Sequence, residues 1–330
     1  MNVTRRVAFF TLKGYNIVNR KGGVPMRRAK LTIILILALL LAGCRPLVTD
    51  APKPVSVYAT CYPIYALTDA LMADIPDAAL HCLIQPQDGC LRSYQLSDWD
   101  LYLLASADAV ICGGRGLESF ETALFQWGDD GPAVSAVLYN LELYEGTGDP
   151  DKEDSHLDGM NPHLYMSVDG AKQIVEAIST SLMALDPRYT DKYLKNEEAA
   201  LARLTALSDE MQPLVTRGQK VILMNEALIY LAQDLGLEVA DWIDRESGEA
   251  MYGEQLTKCL ERLDDTGARV VLIERQAPAS LVTALEDAGY AVARLDILST
   301  GREDMGFDGY IEAQKNNALE IARAFEELEG

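Results

Sequence analysis

The residues able to do chemistry in this chain stand at the ends of apolar runs. "VSVYAT" leads into Cys61, and "AALHCLI" leads into "DGCLRSYQLSD", which holds Cys90 and Arg92. "KVILMN" delivers Asn225 and Glu226, "ARVVLIE" ends on Glu274 and "YAVARLD" ends on Asp296. His163 lies in "NPHLYMS", just ahead of a helical pattern. Such runs read as parallel strands, and open parallel sheets bind ligands beyond the carboxyl ends of their strands. Two sheets facing each other across these ends gather one imidazole and two or three carboxylates around a cleft. The motifs of catalysis and nucleotide binding are missing. There is no G-x-x-x-x-G-K-[ST], no G-x-G-x-x-G and no G-x-S-x-G, and three histidines leave little material for a His-based triad. "CGGRG" at 112–116 lacks phosphate-loop spacing and reads as a tight strand-to-helix turn. The pattern points to a binding protein, not an enzyme.

The elements that position these residues alternate. Strands are expected at 55–60, 78–84, 107–114 and 132–137. Helices are expected at 62–74, after the capping Ser97 and through Phe120 and Leu124. From 168 to 185, Ile174, Ile178, Leu182 and Leu185 recur at helical spacing up to Asp186-Pro187, and a second helix carries Leu194, Leu201, Leu204 and Leu207. Strands then resume at 220–225, 237–243, 268–274 and 290–296, with a closing helix from 309. The expected fold is α/β, two Rossmann-like lobes with parallel sheets joined by a single long helix. The first lobe covers 55–166, the bridging helix 167–186 and the second lobe 187–330. Between the fourth strand and His163, "EGTGDPDKEDSHLDGMNP" is an acidic surface loop whose His156 is a weaker candidate for catching a cation.

The N-terminus reads as a targeting segment. "MRRAK" at 26–30 is a basic region and "LTIILILALLLAG" at 31–43 an apolar one, too short to span a bilayer comfortably. Met26 is the expected true start, residues 1–43 the expected signal peptide and 44–54 a Pro-containing tether. The formal charge of −21 on 330 residues excludes a nucleic-acid partner, which needs a basic face. Export permits disulfides without requiring them, and the five cysteines after Cys44 leave at least one unpaired.

Three stretches carry a family resemblance: "SYQLSDWDLYLLASADAVICGGRGLESF", "NPHLYMSVDGAKQIVEAI" and "DPRYTDKYLKN". Their order and spacing resemble the metal-binding lipoproteins of the zinc/manganese ABC-transporter family, the cluster A-I solute-binding proteins, over roughly 55–327. "LAGC" resembles a bacterial lipobox, which implies cleavage before Cys44 and lipid on its thiol. The resemblance implies an extracytoplasmic, monomeric chain, anchored to the cell membrane through Cys44, that captures a divalent transition metal and delivers it to an ABC permease. The cargo is zinc or manganese, with iron as a further choice. It places His163 at the second ligand position, Asn225 where zinc-type members carry His, Glu226 where manganese-type members carry Glu, and Asp296 at the last position. The first ligand belongs two residues before Tyr94, and there the chain carries Arg92.

Three arrangements follow from that departure. In the first, Cys90 supplies the missing donor to a site of Cys90, His163, Glu226 and Asp296, whose mixed S, N and O ligation at four-coordination suits zinc. In the second, Arg92 turns inward and bridges carboxylates in place of the metal. Repulsion between a guanidinium and a dication ~6 Å apart is about 5 kcal/mol at an effective dielectric near 20, so the two largely exclude each other. Such a chain would be a surface lipoprotein, an adhesin or accessory protein, that keeps only the fold. In the third, Cys90 pairs with Cys61. The favoured reading is metal capture by His163, Glu226, Asp296 and one ligand from the 88–94 loop, with Glu274 as an accessory carboxylate.

Overall fold

The computed structural model describes residues 54–85, 91, 94–146, 159–243, 245, 247–299, 301 and 303–329. The expectations for the signal peptide, the tether, Cys44, Cys90, Arg92 and His156 lie outside the described residues. Eight strands form two sheets. In the first lobe β1 (Val55–Ala59), β2 (Ala78–Cys82), β3 (Ala109–Cys112) and β4 (Ala133–Ala136) run parallel in the order β2-β1-β3-β4. In the second, β5 (Lys220–Leu223), β6 (Glu238–Trp242), β7 (Val270–Glu274) and β8 (Ala291–Leu295) repeat that order as β6-β5-β7-β8, again all parallel. The inner strands β3 and β7 are buried along their whole length, which is why they read as unbroken apolar runs. Each sheet reverses its winding beside its first strand, and a crevice opens at that point beyond the carboxyl edge.

Nine helices surround the sheets among the described residues: α1 (Tyr62–Met72), α2 (Asp98–Ser106), α3 (Glu121–Leu124), α4 (Val168–Leu185), α5 (Thr190–Met211), α6 (Leu228–Asp234), α7 (Gly253–Asp264), α8 (Ala279–Asp287) and α9 (Gly306–Glu329). Ser97 caps α2 as expected. Its Oγ accepts from Asp100 N at 3.2 Å and Asp100 Oδ2 accepts from Ser97 N at 2.8 Å, a reciprocal box that satisfies two orphan donors. The sequence places the link between the lobes on a helix at 167–186. The long linking stretch is instead Pro187–Leu214, of which α5 is the greater part. The preceding α4 packs against α5 along its length and also touches α1, β4 and α6. Both helices carry an apolar face, so periodicity finds them equally well; which one crosses is decided by tertiary packing.

The two lobes belong to one compact unit, Lys53–Gly330. A single core runs from Val57 in β1 through Ile174 and Ile178 of α4 to Leu272 and Leu295 in the second sheet, and a smaller cluster fills the far side of the second lobe around Ile222, Met224 and Leu281. The final helix closes the seam. α9 packs on α1, α5 and β8. Tyr62 of α1, 2% exposed, donates its hydroxyl to Gly306 O at 3.2 Å. A Cβ on Gly301 would overlap the Tyr62 ring, and one on Gly309 would come 2.6 Å from its hydroxyl.

The glycine turn after β3 encloses a carboxyl group. Glu118 is fully buried and accepts from Gly113 N at 2.9 Å, Gly114 N at 3.2 Å and the Thr60 hydroxyl. Burial pushes its pKa up despite these donors. The folded state therefore holds a proton that the unfolded chain has released, and this group's contribution falls as pH rises through that window and returns on acidification. Glu118→Gln cannot titrate. In urea unfolding at pH 5 and pH 7.5, the stability of the wild type over Glu118→Gln is expected to be larger at pH 5; a difference independent of pH would show that Glu118 is charged throughout.

Candidate metal site

The crevice between the lobes contains a cavity of about 40 Å³, lined by His163, Tyr165, Asn225, Glu226, Arg245 and Ser247, with Leu91, Leu117, Ile297 and Ser299 completing the wall. These residues come from beyond the carboxyl ends of β2, β3, β5, β6 and β8 and from the turn before α4. A water needs roughly 10–15 Å³ measured in this way, so the space admits about three water-sized groups. That is room for an ion.

His163 is held in a defined state. Its main-chain N donates to Asn161 Oδ1 at 3.0 Å, and its ring Nδ1 lies 2.8 Å from the same oxygen. An amide oxygen only accepts, so Nδ1 carries the proton, the ring orientation in which metal-binding histidines coordinate through Nε2. Asn161 is fully buried, donates through Nδ2 to Glu226 O at 2.9 Å and receives the Tyr230 hydroxyl on its own carbonyl at 2.7 Å. One asparagine thus fixes the histidine of the first lobe against the glutamate of the second. Behind it, α9 grips the following turn: Tyr310 Oη donates to Tyr165 O at 2.7 Å, and Gln314 Nε2 to Met166 O at 3.0 Å.

Glu226 is partly buried on the cavity wall. Asn225 also lines it, but its Oδ1 accepts from Ala227 N at 3.0 Å, an Asx turn that starts α6. Asp296 stands outside the lining. Its Oδ1 accepts from Leu298 N at 2.8 Å and its Oδ2 faces Arg275 at 3.5 Å, while Asn317 clamps its main chain through two 2.8 Å hydrogen bonds. The structure therefore brings His163 and Glu226 to the cavity and leaves Asp296 at its edge. Among the described residues, no three His, Cys, Asp or Glu side chains are grouped closely enough to hold one ion.

Two expectations for accessory residues are corrected. Glu274 is not a spare ligand. It is fully buried and its carboxylate takes a forked contact from Arg245, with Nη1 2.8 Å from both oxygens and Nη2 2.8 Å from Oε1. Gly248 N adds a further bond to Oε1 at 2.9 Å, so the oxygens are fully used. Cys61 is a free thiol, fully buried beside Glu118 with Sγ 3.9 Å from Oε1, and it neither lines the cavity nor pairs with Cys90. Burial and the neighbouring Glu118 push this thiol well above its ordinary range, which removes the thiolate that metal binding needs.

The residue that sequence reasoning missed is Arg245. It lies beyond β6 in "WIDRESGE", a stretch without periodicity, and its partner Glu274 comes from a different strand. Its side chain is 1% exposed. Besides Glu274 it bonds Met224 O at 3.1 Å, next to Asn225, and Glu249 O at 2.8 Å, tying the loop after β6 to the end of β5. Its Nε alone has no partner.

Comparison with known proteins agrees with this architecture. The family described as zinc-uptake complex component A, periplasmic, matches residues 57–324. The manganese-binding lipoprotein MntA of Halalkalibacterium halodurans is 24% identical over 293 residues, 86% of this chain and 94% of the relative. The high-affinity zinc uptake system protein ZnuA of Bacillus subtilis is 23% identical over 79% of this chain and 84% of its own. The solute-binding protein FpvC of Pseudomonas aeruginosa, solved in complex with Mn2+, superposes with a TM-score of 0.71 at 22% identity, covering 83% of this chain and 99% of that one. Since the family match spans most of the chain, including both sheets and the crevice between them, the chain belongs to the family of periplasmic zinc-uptake complex component A proteins.

Proposed function

We propose that this protein captures a divalent transition metal ion, zinc, manganese or iron, in the crevice between its lobes and passes it to an ABC permease without a catalytic step. The observation that carries the reading is His163, its Nδ1 2.8 Å from Asn161 Oδ1, lining one small cavity together with Glu226, in a chain of this family. Relatives named for manganese and zinc support the same class of cargo. His163 and Glu226 supply two ligands. Asp296 supplies a third on leaving Arg275 for the ion, and Cys90 of the 88–94 loop a fourth. Anchoring through lipid on Cys44 keeps the protein, as a monomer, at the cell surface beside its permease.

The test is thermal unfolding of the metal-stripped, reduced chain with zinc, manganese or ferrous ion. A ligand at 100 times its dissociation constant stabilises the native state by about 2.7 kcal/mol. At roughly 2–4 °C per kcal/mol for a chain of this size class, Tm is expected to rise by about 5–10 °C with the cognate ion. Cys90→Ser is expected to weaken the shift, and His163→Ala to remove it. No response to any of the three ions overturns the reading.

A further inference from the structure

We propose that Asp234 is a positioning residue for the metal ligand His163: from the second lobe it holds the start of α4 and, through it, the turn on which the imidazole stands. This rests on the metal-capture reading and adds a residue to it beyond the ligands. Asp234 is the last residue of α6, and its carboxylate crosses to the segment that follows His163. Its Oδ1 accepts from the Ser167 hydroxyl at 2.8 Å, and its Oδ2 from Val168 N and, at 3.4 Å, from Asp169 N. Ser167 passes the contact on, because its Oγ accepts from Gly170 N at 2.8 Å and so caps α4. A carboxylate is a favoured partner for such a helix start, whose first N–H groups lack intrahelical acceptors and carry partial positive charge.

The start of α4 and the turn at His163 form one body. Met166 N donates to His163 O at 2.9 Å, and Ser167 N to Leu164 O at 3.0 Å. A Cβ on Gly170 would collide with the carbonyl and the side chain of Leu164, so the turn lies directly on the first coil of the helix. Asp234 fixes one end of this body, while Asn161, bonded to Glu226 O, fixes the other. Both fixings are made by α6 and the residues that start it. Ile229 N donates to Glu226 O at 3.2 Å, and the helix from Leu228 to Asp234 is only about 10 Å long. Tyr230 bonds Asn161 O from within it. A short rod of the second lobe therefore sets His163 against Glu226, and the two ligands move together. The bonds from Asn161 and α9 remain when the carboxylate is removed, so the ring is then misaimed, not released.

The experiment compares Asp234→Ala with Asp186→Ala. Asp186 is the matched control, a buried carboxylate bonded to Arg188 at the far end of α4, about 27 Å away. Two quantities are read on the full chain. One is the affinity for zinc and for manganese, with free metal set by a chelator buffer. The other is the set of ring 15N resonances of the metal-free chain, whose histidines are His81, His156 and His163, with His163→Ala identifying the third. Loss of a residue that orients a ligand typically costs 10- to 100-fold in metal affinity, and Asp234→Ala is expected at the lower end, about 10-fold. Its His163 resonances are expected to shift while those of His81 stay in place. Asp234→Asn, whose carbonyl can accept from Val168 N while its amide donates to Ser167 Oγ, is expected to keep most of the affinity. Asp186→Ala is expected to lower stability and leave both readings unchanged. If Asp234→Ala does not fold, Ser167→Ala removes one of the donors and should move both readings the same way by less. Wild-type affinity in Asp234→Ala or, failing that variant, in Ser167→Ala overturns the proposal, and so does an equal loss in Asp186→Ala. No metal binding by the wild type overturns metal capture itself, and His163 resonances unmoved by Asp234→Ala then overturn the positioning role as well.

Discussion

Glu274→Met is expected to lose about 3–5 kcal/mol of folding stability, because it leaves the Arg245 guanidinium buried with no countercharge. At roughly 2–4 °C per kcal/mol, the Tm falls by about 6–20 °C. Arg245→Met should cost a comparable amount, since Glu274 then keeps only the Gly248 N–H. The double variant should recover most of the loss, because taking two opposite charges out of the interior together removes their desolvation cost along with their attraction. The sum of the single effects and the effect of the double variant thus differ by several kcal/mol, far outside ordinary additivity. Urea unfolding of the four proteins measures this. Single variants as mild as the double one would mean that water reaches the pair and screens it.

The second large effect is expected at the seam between the lobes. Tyr62→Ala removes a ring that is 2% exposed and a hydroxyl bonded to Gly306 O, where large aromatic truncations cost roughly 3–5 kcal/mol. Gly301→Ala pushes a methyl group into the same ring, and overpacking of this kind costs roughly 1–3 kcal/mol. Combined, the two should not add. The alanine methyl enters the space that the ring vacated, so Tyr62→Ala/Gly301→Ala is expected to be no less stable than Tyr62→Ala alone. Calorimetric Tm values of the three variants decide it, and a fully additive loss would show that Gly301 is sensitive for a reason unrelated to Tyr62.

The two kinds of information in the sequence differ in range. Strands buried on both faces announce themselves as apolar runs, so both sheets and the cap at Ser97 were legible from neighbouring residues alone. Glu226 was legible because it follows such a run, and His163 because "NPHLYMS" stands just ahead of a helical pattern. Asp296 and Glu274 end strands just as clearly, yet neither lines the cavity freely, because Arg275 and Arg245 reach them across the fold. A carboxylate at a strand end looks the same in sequence whether it awaits a metal or already holds a guanidinium. The crossing helix was misplaced for a related reason: an amphipathic pattern says that a face is buried and is silent on which lobe buries it.

The seam has a consequence for how the protein is made. α1 ends at Met72, while α9, which packs on it, begins only at Gly306. A ribosome adding 5–20 residues per second needs roughly 10–50 s to produce the chain between them. Throughout that interval the side of α1 that α9 covers, Tyr62 included, waits uncovered even after β1, β2, α4 and α5 have packed on the rest of the helix, and the first lobe cannot reach its final form ahead of the second. Shortening the chain from its C-terminus is therefore expected to damage the half that was synthesised first, so the two lobes cannot be prepared as separate proteins by cutting the gene between them.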